Sequence, residues 1–250
     1  MPTLAAFYKK IDLAQEGSMV QENTTVFDYL KSLKMLRASL HKNSPGWDFV
    51  TCTDQITEID LPEKEIFRSD LDQQVLMASL IKSNTHYVKT HPGQSLLCGV
   101  DHLVAKSLTP MFQDQFDITL LINGGKINNT VVLINTNSSN HYRVVDFFDA
   151  RQKFYDELSD SQKQWLGDQV SFEYALKHWG FEESMESYVG RTISSQGLTV
   201  KFIGYNELWV HGVKKKVPAY APRALFLDFK GPRRKQWFNE VYQSVMDIRN

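Results

Sequence analysis

A single carboxylate interrupts the long apolar stretch Leu96–Phe112, which reads LLCGVDHLVAKSLTPMF. An almost continuous apolar run of this kind predicts a strand that is buried in a parallel sheet. A carboxylate at the end of such a strand costs free energy unless it is paired, hydrogen-bonded or bound to a cation. Because open α/β sheets bind their ligands at the carboxyl ends of strands, Asp101 is the first candidate functional residue. The alternative is that Asp101 only caps the turn that follows.

His102 follows Asp101 directly, and a histidine beside a carboxylate is a candidate metal ligand. On a continuous strand, however, successive side chains point to opposite faces of the sheet. This alternation predicts that His102 faces away from Asp101, as a core histidine or as one that supports the site from behind.

The elements that would position these residues alternate between strand and helix through the first half of the chain. Period-2 and period-3.6 patterns predict the strands Thr3–Tyr8, Trp47–Thr53 and Leu61–Phe67, and the helices Val26–His41 and Leu71–Val88. The second half is mixed, with strands predicted at Phe116–Ile122, Val131–Ile134, Leu198–Phe202, Leu208–Val213 and Ala224–Phe229, and helices within 141–160 and at Val170–His178 and Trp237–Ile248. The alternation predicts βαβ units in an α/β protein with a mostly parallel central sheet, flanking helices and a mixed C-terminal extension.

Bulk composition places the chain among ordinary soluble globular proteins. Its 250 residues are 42% hydrophobic and 23% charged, which suits one large α/β domain. The formal net charge of −1 gives no indication of a nucleic-acid partner or a membrane surface. Cys52 and Cys98 fall in predicted buried strands and are expected to be core residues in a reducing compartment. Without an apolar leader or a run of about 18 apolar residues, we expect no transmembrane segment and a cytoplasmic location.

Four segments resemble the motifs of GT-A glycosyltransferases, the nucleotide-diphospho-sugar transferases, in the order in which that family has them. Gly99-Val100-Asp101 resembles the Asp-x-Asp that ends a buried strand, with Gly99 in place of the first Asp. The segment 127–131 resembles the Asn-(Ala/Ser)-Gly-Val that contacts the donor sugar, with Thr130 in place of Gly. The segment 165–169 resembles the Gly-Asp-Gln of the sugar and acceptor site. The segment 227–235 resembles a C-terminal His-Phe-x-Gly-x-x-Lys-x-Trp, with Asp228 at the histidine position. The motifs are closest to those of glycogenin-like and galactosyltransferase-like members.

The resemblance implies a GT-A fold and transfer of a sugar from a nucleotide-diphosphate donor, with UDP favoured, to an acceptor hydroxyl. It implies a single domain over residues 1–250, with a nucleotide-binding half at about 1–125 and a sugar- and acceptor-binding half at about 126–250. It also implies a Mn²⁺ or Mg²⁺ ion held by Asp101 and Asp228, with Asp168 and Gln169 as catalytic residues that line the sugar. The acceptor could be a glycan, a lipid-linked glycan or a protein, and the oligomeric state is left open.

The chemistry of such a donor agrees with these residue types. Cleavage at the anomeric carbon needs the charge of the leaving diphosphate neutralised, and hard cations bound by oxygen ligands do this. Basic side chains on a glycine-containing loop can bind the phosphates through charge-assisted hydrogen bonds. The expected donor-binding residues are Tyr8, Asp54 and Arg68 at the ends of the first strands, Asn128 in the second motif, and Lys230, Gly231, Arg233, Arg234 and Lys235 in the fourth.

Each assignment has a plainer alternative. Asp168 could simply cap a helix, and the basic run Arg233–Lys235 could be a solvated surface. Gly99 in place of an acidic residue motivates a second hypothesis, a non-catalytic relative that binds a sugar nucleotide or a glycan without turnover. A nucleotidyltransferase is a third, although the chain has neither G-x-G-x-x-G nor a P-loop. The fourth motif resembles families that retain the anomeric configuration, and no carboxylate stands out as a general base, so retention and inversion stay open.

Overall fold

The structure is a computed structural model that describes residues 1–11, 27–71, 76–163, 166–205, 210–212, 224–229 and 237–247. Among these residues, eight strands form one large sheet and three strands form a second, small sheet. No helix among the described residues is long and apolar enough to cross a membrane.

The first half of the chain supplies strands to both sheets. Its strands are β1 (Thr3–Phe7), β2 (Asp48–Thr53), β3 (Ile66–Arg68), β4 (Gln94–Cys98), β5 (His102–Val104) and β6 (Ile118–Asn123), and its helices are α1 (Tyr29–Asn43) and α2 (Leu76–Thr90). Short 3₁₀ helices lie at Glu63–Glu65 and Thr109–Phe112. Asp28 caps α1 by accepting a hydrogen bond from the Lys31 amide over 2.8 Å.

The second half completes the large sheet and supplies most of the small one. Its strands are β7 (Lys126–Asn135), β8 (Thr192–Ser195), β9 (Leu198–Gly204), β10 (Val210–Gly212) and β11 (Phe226–Asp228). Its helices are α3 (His141–Asp156), α4 (Gly167–His178), the single turn α5 (Met185–Tyr188) and α6 (Phe238–Asp247).

The large sheet, in the strand order β3-β2-β1-β4-β7-β6-β9-β8, contains both parallel and antiparallel pairs, and the small sheet has the order β10-β11-β5. Strands β1, β2, β3 and β4 pair in parallel, as do β6 and β9. Strand β7 runs antiparallel to β4 and β6, and β8 runs antiparallel to β9. The predicted α/β class and mostly parallel central sheet are confirmed.

Apolar side chains on opposite faces of the sheet belong to two cores. On β1, Ala5 packs into a core with helices α2, α3 and α4, whereas Leu4 packs into one with α1. Leu33, Leu36 and Leu40 provide the buried face of α1, at the spacing expected of an amphipathic helix. The free cysteines, Cys52 and Cys98, are buried in these cores.

The apolar stretch Leu96–Phe112 contributes two strands to different sheets, where the sequence pattern predicts a single buried strand. Strand β4 ends at Cys98, residues 99–101 leave the large sheet, and β5 begins at His102 in the small sheet. The partner of β5 is β11, which lies more than a hundred residues further along the chain. An apolar run cannot distinguish one strand from two that enter different sheets, because both are buried on two faces.

Candidate functional site

The register of the large sheet brings several predicted site residues to one edge. Phe7 pairs with Cys52, Thr53 with Arg68, and Ala6 with Cys98, and all four strands run in the same direction. Tyr8, Asp54 and the 99–101 segment follow directly after the ends of their strands, and Arg68 is the last residue of β3. They therefore lie along the carboxyl edge, where open α/β sheets bind ligands.

Two later segments reach the same edge. Strand β7 runs antiparallel to β4, and its pairing of Val131 with Cys98 carries Asn128–Thr130 alongside the 99–101 segment. Strand β9 ends level with β6, where the Tyr205 amide donates a hydrogen bond to the Ile122 carbonyl over 2.7 Å. Residues from distant parts of the chain thus meet at this edge.

Asp101, His102 and Asp228 form a compact cluster of possible metal ligands. Strand β11 pairs antiparallel with β5 so that Asp228 lies opposite His102, and the ligand atoms of all three residues lie within 4.8 Å of one another. His102 Nε2 is 3.4 Å from Asp228 Oδ1, and His102 Nδ1 is 3.6 Å from Asp101 Oδ1. The prediction that His102 faces away from Asp101 is wrong, because Asp101 lies in the break before β5 and does not follow strand alternation.

Contacts from neighbouring residues hold this cluster in place. The Tyr205 hydroxyl donates a hydrogen bond to Asp228 Oδ2. His102 Nδ1 is 3.0 Å from the Gly99 carbonyl oxygen, and the imidazole stacks on Phe226 with ring centroids 4.9 Å apart. His102 and Asp228 are buried, and such fixed orientation is typical of residues that bind a metal.

The Tyr29 phenol and the Cys98 thiol near Asp101 both stay protonated. The Phe229 amide donates a hydrogen bond to the Asp101 carbonyl over 3.0 Å, which ties the 99–101 segment to the end of β11. Burial and the Asp101 carboxylate both raise the pKa of Tyr29, so its phenol stays protonated. Burial also raises the pKa of the Cys98 thiol, with Asp101 adding to the shift. The negative charge of Asp101 is therefore not joined by a phenolate or a thiolate.

The donor atoms of the cluster fit a divalent cation. Two ligands that each lie about 2.1 Å from a shared ion must themselves lie within roughly 4.2 Å of each other. The separation of 3.4 Å between His102 Nε2 and Asp228 Oδ1 meets this condition. Two carboxylates supply the oxygen ligands that Mg²⁺ and Mn²⁺ prefer. Asp101, His102 and Asp228 are therefore the described residues that could hold such an ion.

A second polar cluster joins the second and third sequence motifs. The Asn129 side-chain amide donates a hydrogen bond to Asp168 Oδ2 over 2.8 Å. Asp168 is the second residue of α4, whose cap position is Leu166 and shows no side-chain cap, so the helix-cap alternative for Asp168 does not hold. Its other oxygen, Oδ1, is buried and has no hydrogen-bond partner among the described residues.

Arg151 lies behind Asp168 and is fully buried. It donates a hydrogen bond from Nη2 to the Asp168 carbonyl over 3.3 Å, and its guanidinium lies 3.7 Å from the centroid of the Phe172 ring. Burial lowers the pKa of Arg151 to about 9, against the opposing effect of Asp168, so the guanidinium is charged at neutral pH. Arg151 thus holds the Asp168 backbone directly, and its charge interacts with the Asp168 carboxylate only electrostatically.

Gly167 allows the third motif to approach its surroundings closely. A Cβ at this position would lie 2.6 Å from the Gln162 carbonyl oxygen and 2.9 Å from the Tyr155 ring. Only glycine fits there without displacement of the backbone. Gln169 follows Asp168 in the first turn of α4 and is partly buried.

The predicted donor-binding residues at the start of the sheet make local contacts. Asp54 Oδ1 accepts hydrogen bonds from the backbone amides of Thr57 and Ile56 over 2.7 and 3.2 Å. Arg68 Nη1 donates to the carbonyls of Asp54 and Thr57 over 2.8 and 3.1 Å, which fixes the loop after β2. Burial, with a contribution from Asp28, raises the pKa of Tyr8. These three residues lie at the expected edge, and their binding role stays a prediction.

The remaining predicted residues divide into described and undescribed positions. Asn128 is buried, and its Oδ1 accepts a hydrogen bond from the Thr130 amide over 3.1 Å. Lys230, Gly231, Arg233, Arg234 and Lys235 lie outside the described residues.

Sequence reasoning missed Asn129, Arg151 and Tyr205. For Arg151 a signal exists, since the apolar stripe of α3 runs through Val144, Phe148 and Tyr155 and Arg151 occupies a position of that stripe. A charge at a core position indicates a buried partner. No such pattern marks Asn129 or Tyr205, whose contacts depend on the tertiary fold.

The fold resembles those of solved glycosyltransferases. The galactosyltransferase LgtC in complex with donor and acceptor sugar analogues superimposes with a TM-score of 0.53 at 13% identity, covering 99% of this chain and 98% of that one. A glycosyltransferase involved in glycosylation of the major capsid of PBCV-1 gives 0.51 at 13% identity, covering 95% and 100%. The bifunctional glycosyltransferase WbbM gives 0.54 at 8% identity, covering 92% of this chain and 45% of WbbM.

These likenesses establish the fold. No protein-family profile matches the sequence, and no curated protein matches it. The chain has the GT-A fold of glycosyltransferases, as its motifs predict.

Proposed function

We propose that the protein is a metal-assisted glycosyltransferase that moves a sugar from a nucleotide-diphosphate donor, UDP-linked by preference, to an acceptor hydroxyl. The observation that supports this most is the Asp101–His102–Asp228 cluster at the carboxyl edge of a GT-A sheet. LgtC, which shares the fold, binds donor and acceptor sugar analogues. The acceptor here is a glycan, a lipid-linked glycan or a protein.

In the proposed reaction the bond between the anomeric carbon and the diphosphate oxygen breaks, and a bond to the acceptor oxygen forms. The acceptor oxygen attacks from the face that the diphosphate leaves, so the configuration is retained. Its proton passes to an oxygen of the departing nucleoside diphosphate, so no separate base is needed. A divalent cation, Mn²⁺ or Mg²⁺, held by Asp101 and Asp228 would neutralise the charge that develops on the diphosphate.

The chain's own residues have separate roles in this proposal. Asp168 lines the sugar site, and Asn129 holds its carboxylate through Oδ2. Gln169 binds the sugar beside it. The nucleotide lies along the first half of the chain at the ends of β1, β2 and β3, near Tyr8, Asp54 and Arg68, and the sugar and acceptor lie along the second half.

The remaining donor contacts follow from the sequence motifs. Asn128 contacts the donor, and we propose that Lys230, Gly231, Arg233, Arg234 and Lys235 bind the phosphates through charge-assisted hydrogen bonds. We further propose that the reaction takes place in the cytoplasm.

Calorimetric titration with a panel of nucleotide-diphosphate sugars, each with and without Mn²⁺, tests the proposal. We expect one donor to bind tightly and only in the presence of the metal, and to release its nucleoside diphosphate when an acceptor is added. Failure of every donor to bind, with Mn²⁺ present, would overturn it.

A carboxylate variant links binding to turnover. Asp101→Asn should abolish transfer and leave the fold intact, because the amide removes the ligand charge with little change in shape. Asp146→Asn, at an exposed position on α3, is the matched control and should transfer at the wild-type rate.

A non-catalytic relative that only binds a sugar nucleotide or a glycan is the second candidate. It is favoured by Gly99, which stands where the resembled motif has an acidic residue. Donor binding that is independent of metal, with no release of nucleoside diphosphate in the presence of acceptors, would support this candidate over the transferase.

A further inference from the structure

We propose that the imidazole of His102 is the third protein ligand of the cation and binds it through Nε2. The inference rests on the proposed function only in assuming that a divalent cation binds at this site. The assignment of Nε2 comes from the hydrogen bonding and burial of His102. It gives His102 the place in the ligand set that Gly99 leaves without a side chain.

The hydrogen bond at the other ring nitrogen fixes the form of the imidazole. Nδ1 of His102 lies 3.0 Å from the Gly99 carbonyl oxygen, which can only accept a hydrogen bond. Nδ1 therefore carries the ring proton, and in the neutral imidazole the lone pair is on Nε2. A histidine that donates from one nitrogen to a backbone carbonyl has the arrangement seen for metal-bound imidazoles.

The lone pair on Nε2 faces another acceptor. Nε2 is buried, has no hydrogen-bond partner among the described residues, and lies 3.4 Å from Asp228 Oδ1. His102 is 2% exposed and Asp228 is 0% exposed, so water screens this arrangement poorly. Two acceptors facing each other in a buried site cost free energy unless a positive species lies between them.

That positive species could be a proton on Nε2 or a cation. A proton would lie between His102 and Asp228 alone, whereas a cation could also reach Asp101, since one ligand atom from each of the three residues lies within 4.8 Å of the others. The Asp101 side chain is 19% exposed, which gives an ion and its remaining ligands access from solvent. A cation is therefore the species that ligand atoms from all three side chains can reach together.

Gly99 is consistent with this role for His102. A Cβ at position 99 would lie 3.1 Å from Asp101 Oδ1 and 3.8 Å from His102 Cε1. A side chain there would project toward the place that the imidazole and the Asp101 carboxylate occupy. A side chain at position 99 would thus crowd the Asp101 carboxylate and lie in ordinary contact with the imidazole.

The ligand set has a consequence for metal preference. Two carboxylates with one imidazole suit a transition-metal ion better than an all-oxygen site does. We expect Mn²⁺ to bind more tightly than Mg²⁺, and the preference to fall when the imidazole is removed.

Pulsed electron paramagnetic resonance of bound Mn²⁺, with and without UDP, is the direct experiment because it detects a coordinated nitrogen. The wild-type protein should show the ¹⁴N modulation of a directly bound imidazole. His102→Gln should lose the modulation and bind Mn²⁺ at least about tenfold more weakly by calorimetry, since even the loss of a supporting contact costs that much. His178→Gln, at an exposed position on α4, is the control and should keep both.

Bound Mn²⁺ without nitrogen modulation in the wild-type protein would overturn the proposal, as would the absence of Mn²⁺ binding both with and without UDP. The wild-type spectrum decides the question even where His102→Gln does not fold. Nitrogen modulation in a protein that binds no sugar donor would leave the ligand assignment in place and refute the transferase. Metal-dependent transfer without nitrogen modulation would support the transferase and refute the assignment of His102 as a ligand.

Discussion

Asn129 donates a hydrogen bond from its side-chain amide to Asp168 Oδ2 across 2.8 Å, and this contact joins two sequence motifs that are 39 residues apart. Asn129 belongs to β7 at the carboxyl edge of the sheet, and Asp168 belongs to the first turn of α4. The hydrogen bond holds Oδ2 in place and thereby fixes the orientation of the whole Asp168 carboxylate. Asp168 is thereby held toward the edge at which the metal-ligand cluster lies.

Removal of the Asn129 side-chain amide should lower both the free energy of unfolding and the turnover rate. Asn129→Ala leaves Asp168 Oδ2 buried without its donor, which we expect to lower the free energy of unfolding by about 1–3 kcal/mol. The rate constant kcat should fall more than donor affinity, because the sugar-binding carboxylate is no longer oriented. Urea denaturation and steady-state kinetics measure the two effects. In a double-mutant cycle with Asp168→Ala, effects that simply add within about 0.5 kcal/mol would contradict the coupling.

Gly167 should tolerate no side chain. In Gly167→Ala the new methyl group would meet the Gln162 carbonyl oxygen at 2.6 Å, so the loop before α4 must shift. We expect the free energy of unfolding to fall by about 1–3 kcal/mol. Gly46→Ala is the matched control, because a Cβ there meets nothing within 4 Å, and its stability should change little. Equal thermal melting of the two variants would contradict the close packing.

The helices and strands could be predicted from the sequence because apolar residues at regular spacing form their buried faces. Helix α1 follows the spacing of Leu33, Leu36 and Leu40, and the α/β class follows from alternating patterns. The metal-ligand cluster could be predicted only in part. Asp101 and Asp228 are recognisable from motifs, but the position of His102 depends on a break after β4 and on pairing between β5 and β11. Such pairing joins residues too far apart for local patterns to reveal.

The second polar cluster shows the same limit. Nothing in the neighbourhood of Asn129 distinguishes it from Asn128, yet the two side chains make different contacts, one with Asp168 and one with Thr130. A residue's face on an irregular strand depends on register, and β7 departs from regular pairing with β6. The choice between adjacent asparagines is therefore made by the tertiary structure.

The ion pair between Arg37 and Glu65 should make stability depend on pH. Arg37 Nη2 lies 2.8 Å from Glu65 Oε1, and this hydrogen-bonded pair lowers the pKa of Glu65. Its contribution is fully present above the ordinary carboxyl pKa of about 4.3 and is lost as the pH falls through the lowered value in the folded protein. Glu65→Gln should therefore lower the free energy of unfolding by about 1 kcal/mol at pH 7 and by less at pH 3.

Denaturation with urea at the two pH values measures this dependence. Glu58→Gln, at an exposed position, is the control and should leave stability unchanged at both. A Glu65→Gln effect that is as large at pH 3 as at pH 7 would mean that the ion pair is not its cause.

Tyr205 should control metal affinity without binding the metal. Its hydroxyl donates a hydrogen bond to Asp228 Oδ2, which orients the carboxylate whose other oxygen faces His102 Nε2. Tyr205→Phe removes that donor and keeps the ring, so we expect Mn²⁺ affinity to fall by about 10- to 100-fold, as when other supporting contacts of metal ligands are lost. Calorimetry gives the affinity, and Tyr142→Phe, at an exposed position, should bind as the wild-type protein does. Wild-type Mn²⁺ affinity in Tyr205→Phe would show that the hydroxyl does not orient Asp228 for the cation.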